Sequence, residues 1–167
     1  LVLGSYLPTT LSLPSPLRAG GRLVVGGNFP YQDEASLRWE IAQHMELTVQ
    51  FRVPVGATSL QVRVAGELQP LRETPAGYLE LRRLWLPGET AVIKFEFPLR
   101  AHFHPGRDGV TWVGFTWGPL ALAQDVVRQV DQPEVVLALE TDRRDATAWL
   151  RPFTPPRPDG QIGRAHV

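Results

Sequence analysis

Between Gly77 and Pro98 apolar and polar side chains trade places residue by residue, and few folds can absorb such a pattern. On the way in, Leu79 and Leu81 alternate with Glu80 and Arg82; on the way out, Ile93, Phe95 and Phe97 alternate with Lys94 and Glu96. A period of two places one set of side chains on each face of an extended strand, so each run predicts a strand with a single buried face. The two runs are joined by Leu86-Pro87-Gly88-Glu89, a fixed φ followed by a residue tolerant of positive φ, which suits a tight reversal. The simplest reading of strand, reversal and strand is a β-hairpin, closed at Pro98 because proline cannot donate to a ladder.

The same punctuation runs through the chain. Sixteen prolines and 15 glycines in 167 residues interrupt it every eight to twelve residues or so, which favours short strands over long helices. Strands are expected over Val2–Leu7, Arg22–Val25, Ser36–Ile41, Leu47–Val53, Leu60–Val64, Leu68–Leu71, Arg100–Phe103, Val110–Trp117, Leu120–Ala123 and Glu134–Leu139. Ser36–Ile41 and Leu47–Val53 read as antiparallel neighbours, and Ala65-Gly66-Glu67 as a hairpin turn. Asp142–Leu150 is ambiguous between strand and helical turn, and Pro152, Pro155, Pro156 and Pro158 mark a linker-like end. About ten short strands at this spacing predict an all-β, jelly-roll-like antiparallel β-sandwich.

Composition narrows the partners. Seventeen basic and seventeen acidic side chains cancel, leaving no overall field to gather nucleic acid or an anionic membrane surface. No apolar run approaches the roughly 20 residues of a membrane helix. The chain holds no cysteine, which excludes disulfides, thiolate catalysis and cysteine-bound zinc from this segment. Neither a phosphate-cradling glycine motif nor a G-x-S-x-G elbow occurs. The compartment stays open.

Particular stretches add what periodicity cannot. Gly77-Tyr78-Leu79-x-Leu81-x-Arg83-x-Trp85-x-x-Gly88-Glu89 and the strand after it resemble the β-sandwich region of β-L-arabinofuranosidases of glycoside hydrolase family 127 and its relatives. Ser5-Tyr6-Leu7-Pro8-Thr9, Phe29-Pro30-Tyr31, Phe51-Arg52-Val53-Pro54, His104-Pro105 and Gly118-Pro119-Leu120 are similar to further landmarks in the family's order. After Leu120 the chain reads Ala121-Leu122-Ala123-Gln124, where the family often has Val-Tyr and a later glutamate. The resemblance implies a retaining glycosidase whose cysteine nucleophile, zinc site and acid/base glutamate lie in an upstream α-helical barrel. None of those roles transfers to a chain without cysteine, so no catalytic, cofactor-binding or metal residue is assigned here. The expectation is a fragment of a larger enzyme: residues 1–124 an accessory β-sandwich, 125–161 a linker or the start of a further β-domain, and 162–167 read-through from a sequencing adapter. The expected partners are the enzyme's own upstream barrel and, through the whole protein, a carbohydrate substrate; a free-standing carbohydrate-binding sandwich and a cupin-like metal domain are the alternatives.

Four local groupings invite a functional reading. His102 and His104 share a strand face and could converge with Asp108 on a metal, although a cupin needs a later histidine and only His166 follows. Trp39, Trp85, Trp112 and Trp117 could stack on sugar rings, but aromatics of this size are expected in the core. Asp33-Glu34 and the Glu67 and Glu73 pair could serve as glycosidase carboxylates, yet read better as solvated turn charges. Pro155-Pro156-Arg157-Pro158 could meet a proline-recognition domain and is better explained as linker.

Overall fold

The computed structural model describes residues 1–13, 21–107, 109 and 111–122. The expected strand at Glu134–Leu139, the ambiguous stretch at Asp142–Leu150, the proline-rich end and the terminal six residues lie outside the described residues. Thirteen strands and no helix occur among those that are described. In chain order they are β1 (Val2–Leu3), β2 (Thr9–Ser12), β3 (Arg22–Gly27), β4 (Glu34–Glu40), β5 (Met45–Arg52), β6 (Ser59–Val64), β7 (Glu67–Leu68), β8 (Arg72–Glu73), β9 (Tyr78–Trp85), β10 (Thr90–Glu96), β11 (Leu99–Pro105), β12 (Thr111–Trp117) and β13 (Leu120–Leu122). The chain divides into two compact units, Leu1–Phe97 and Pro98 onward.

The first unit is a β-sandwich. One sheet has the order β1-β5-β9-β8, the other β2-β3-β4-β10-β6-β7. All pairings are antiparallel except that of β1 with β5, which is parallel. Register carries the apolar phase of each strand onto its neighbours. Val25 faces Leu37, Leu37 faces Ala91, and Ala91 faces Val64, all buried; the next row, Ala35, Ile93 and Val62, is buried as well. In the other sheet Leu3 pairs with Phe51 and Val49 with Leu81, again buried. A slip of one residue in any strand would turn its row to solvent, so burial itself sets the register.

The two strands that open the sequence argument are not a hairpin. β9 pairs with β5 and β8 in one sheet, whereas β10 pairs with β4 and β6 in the other. The turn at Leu86–Glu89 forms as expected: Glu89 N–H donates to the Leu86 carbonyl at 3.1 Å, and Gly88 has φ of 74°. A proline followed by a glycine at positive φ is a type II arrangement. What it joins is two strands whose apolar faces look at each other across the core. Alternation specifies which face of a strand is buried, not which strand lies beside it.

The expected adjacency of Ser36–Ile41 with Leu47–Val53 fails for the same reason, since β4 and β5 lie in opposite sheets. The Leu68–Leu71 strand divides into β7 and β8 around Pro70, again in opposite sheets. The strand expected at Arg100–Phe103 forms as part of β11 and opens the sheet of the second unit, β11-β12-β13. β6 and β7 are the hairpin read from Ala65-Gly66, with Val64 opposite Glu67 and φ of 52° and 85° at the two loop residues. Both central residues at positive φ define the type I′ turn that matches strand twist.

Val2–Leu7 is a strand only over Val2–Leu3, because Tyr6 turns into the core. Its ring meets Phe95 of one sheet edge-on at 4.7 Å, and its hydroxyl donates to the Arg52 carbonyl of the other at 2.7 Å. Burial pushes the Tyr6 phenol far above its ordinary range, because the phenolate would lose its water. The folded chain therefore holds the neutral phenol while the unfolded chain ionises it near pH 10. Stability is expected to be full below about pH 10 and to decline as the pH rises further, with a shallower decline in Tyr6→Phe. Urea unfolding of both proteins between pH 8 and 11.5 checks this; parallel declines would contradict it.

Candidate functional site

The residues of the Gly77–Glu89 motif converge on the crossing between the two sheets. Positions 79, 81, 83 and 85 share the inward phase of β9, so a charged side chain, Arg83, stands where an apolar one is the rule. Its guanidinium carbon lies 5.1 Å from the ring centroid of Trp85, and its Nη2 donates to Glu89 Oε1 at 2.8 Å. Side-chain exposures of 24% for Arg83 and 13% for Glu89 put this pair largely out of water. The second Glu89 oxygen accepts the Leu86 N–H at 3.1 Å, and Arg83 also reaches Gln69 Oε1 at 3.4 Å. Trp85 is fully buried, donates its indole N–H to the Leu47 carbonyl and stacks on Trp39 of the opposite sheet at 4.6 Å. Trp39 closes the circle through its backbone, giving its N–H to the Glu89 carbonyl and accepting the Gly88 N–H.

This cluster is a clasp. The terminal nitrogens of Arg83 and both Glu89 oxygens have partners within it, and Arg83 Nε donates to the Leu84 carbonyl at 3.3 Å, which is the condition for tolerating charge at an inward position. Arg83, Trp85 and Glu89 lie in the motif, but the sequence analysis gives Arg83 and Glu89 no role. The signal that could have found them was phase: a charge falling on the inward beat of an alternating strand requires a partner, and Glu89 is the carboxylate in the adjoining turn.

His102 and His104 share the exposed face of β11, and His102 Nε2 is 2.9 Å from Thr116 Oγ1. Asp108 is outside the described residues, and among those described no three histidine, aspartate or glutamate side chains gather for a metal. Trp39 and Trp85 are core residues as expected. Trp112 is not: its exposure is 63%. Trp117 falls on the opposite face of the same strand, so the two do not form a platform. Asp33 lies 4.0 Å from Lys94 at the surface, and Glu34, Glu67 and Glu73 are exposed. A shallow groove of about 490 Å³ runs beside Gln69, Thr48 and Arg72, and each of its three arginines, 72, 82 and 83, is matched by a glutamate.

The family model for the middle domain of GH127 β-L-arabinofuranosidases matches residues 8–99, more than half of the chain. The chain belongs to that family. No curated protein matches it. Among solved structures, a GH127 β-L-arabinofuranosidase from Geobacillus stearothermophilus T6 shares 21% identity with a TM-score of 0.60. A second glycoside hydrolase shares 19% with 0.58, and another GH127 β-arabinofuranosidase 15% with 0.51. Each covers 72% of this chain, while the chain spans 19% to 22% of theirs, so the likeness is one of fold over about a fifth of their length. The GH127 middle domain thus carries the clasp motif inside the matched region, and three of the landmark stretches meet in space. Tyr6 bonds Arg52 and packs on Phe29, which joins three of them at one end of the sandwich.

If the clasp couples its members, the effects of losing them will not add. Arg83→Met and Glu89→Gln are each expected to cost about 1–3 kcal/mol, since each strands a partly buried charge. The double variant should cost less than the sum of the two, by about 1 kcal/mol or more. Urea denaturation of the four proteins measures this, and strict additivity would show the pair to be independent.

Proposed function

We propose that this GH127 middle domain is the non-catalytic β-sandwich of a glycoside hydrolase of the β-L-arabinofuranosidase type, packing on an α-helical catalytic barrel that precedes it in the whole protein. The observation that carries this reading is the family match over residues 8–99, on a chain that spans about a fifth of the glycosidases that share its fold. The surface supports it. Leu7, Tyr31 and Val55 are exposed, and each stands within three residues of the cluster in which Tyr6, Phe29 and Arg52 meet. Apolar side chains gathered at one end of a sandwich suit an interface between domains of one polypeptide. The cysteine and zinc chemistry implied by the resemblance belongs, in this reading, to the adjoining domain, because this chain holds no cysteine.

Alone, the 167-residue chain is expected to leave an aryl β-L-arabinofuranoside intact, and the polypeptide that includes the preceding domain to cleave it. Replacing Tyr31 and Val55 together by aspartate should lower the melting temperature of the two-domain protein and leave that of the isolated chain nearly unchanged. Cleavage by the isolated chain, or a preceding reading frame that encodes no helical domain, would overturn the proposal.

A further inference from the structure

In the second unit, the sheet β11-β12-β13 has two unlike faces. One carries Ala101, Phe103, Val113, Phe115, Trp117 and Leu122, all partly buried. The other carries Arg100, His102 and His104 on β11 opposite Thr116, Gly114 and Trp112 on β12. Among the described residues it is polar apart from Trp112, Gly114 and Ala121, the last on β13 opposite Thr116. An indole 63% exposed on the polar face of a sheet forgoes the burial that normally places tryptophan, so packing among the described residues of this unit does not account for it.

Its surroundings have a definite shape. Gly114 is the next residue on the same face, and a Cβ built there would meet no atom within 4 Å, which leaves an open floor beside the indole. His104 stands directly across from Trp112 and His102 across from Gly114, while His102 Nε2 and Thr116 Oγ1, 2.9 Å apart, form the far rim. A flat aromatic surface, a bare floor and a rim of hydrogen-bonding side chains match the two sides of a sugar ring, whose C–H bonds cluster on one face and whose hydroxyls project from its edge. A protein-binding hot spot would need large apolar companions around the indole, and among the described residues of this face the other apolar side chain is the single methyl of Ala121, on β13 opposite Thr116. A nucleic-acid strand would need more cationic charge than Arg100 supplies.

We propose that Trp112, His102, His104 and Thr116 form a carbohydrate-holding site of the accessory region, in which Trp112 stacks on a sugar ring of a polysaccharide. The glycosidase reading enters only through the choice of probe. The test is affinity electrophoresis of the 167-residue chain in gels containing soluble arabinan, arabinoxylan or mixed-linkage β-glucan. At least one polysaccharide is expected to retard the wild type, with Trp112→Ala weakening the interaction about tenfold or more and Trp112→Phe retaining part of it. Leu68→Ala, an exposed apolar change in the first unit, should leave retardation intact, and Trp112→Ala should melt at the wild-type temperature because the side chain is exposed. Failure of all three polysaccharides to retard the wild type, or equal retardation of Trp112→Ala, overturns the site. Failure of the two-domain enzyme to cleave an arabinoside would sink the functional proposal without touching a Trp112-dependent retardation.

Discussion

The stack of Trp39 on Trp85 is the contact from which the rest of the sandwich can be reasoned. It joins the two sheets near the point where the chain passes from one to the other, with both rings fully buried. An aromatic pair contributes about 0.5–1.5 kcal/mol beyond its burial, but its larger effect here is geometric. With Trp39 held to the Gly88-Glu89 backbone by two hydrogen bonds, the reversal at Pro87-Gly88 cannot close as a hairpin and must deliver β10 to the opposite sheet. Arg83 and Glu89 then fill the remaining space with a charge pair that satisfies itself. Trp39 Nε1 is buried without a hydrogen-bond partner among the described residues, a cost that the stack and the surrounding burial must offset.

The crossing at residues 86–89 is one of several. From β4 to β5, β5 to β6, β7 to β8 and β9 to β10, successive strands change sheet, and Tyr6 marks another passage between β1 and β2. Ring stack and tyrosine bridge stand at opposite ends of the strands, with Tyr6 near Phe95 and Arg52 and the tryptophans where β9 ends and β10 begins. A sandwich built this way owes its cohesion to contacts distant in sequence, so its parts are not expected to be stable in isolation.

What could be read from the residues alone follows from this construction. Strand faces were legible because alternation is a local signal, and the turns at Ala65-Gly66 and Pro87-Gly88 because φ requirements are local too. Strand partners were not, since Leu37 and Leu47 lie in equally good strands whether these share a sheet or face each other. The role of Arg83 was hidden by its charge, which reads as solvated until its phase is counted. Trp112 misled in the opposite direction: tryptophan is a core residue by habit, and only the register against His104 shows that this one falls on the polar face. The family resemblance reached further than periodicity, because its scattered landmarks at Tyr6, Phe29 and Arg52 are neighbours in space.

The clasp and the tyrosine bridge tie the two sheets of the sandwich to each other. The claim on which the account turns is the crossing at Leu86–Glu89, and backbone NMR of the isotopically labelled chain tests it most directly. Cross-strand proton contacts are expected between Val49 and Leu81 and between Val62 and Ile93, with none linking the backbones of β9 and β10 beyond the turn. A ladder of contacts between residues 80–84 and 91–95 would show a hairpin, and would contradict the account.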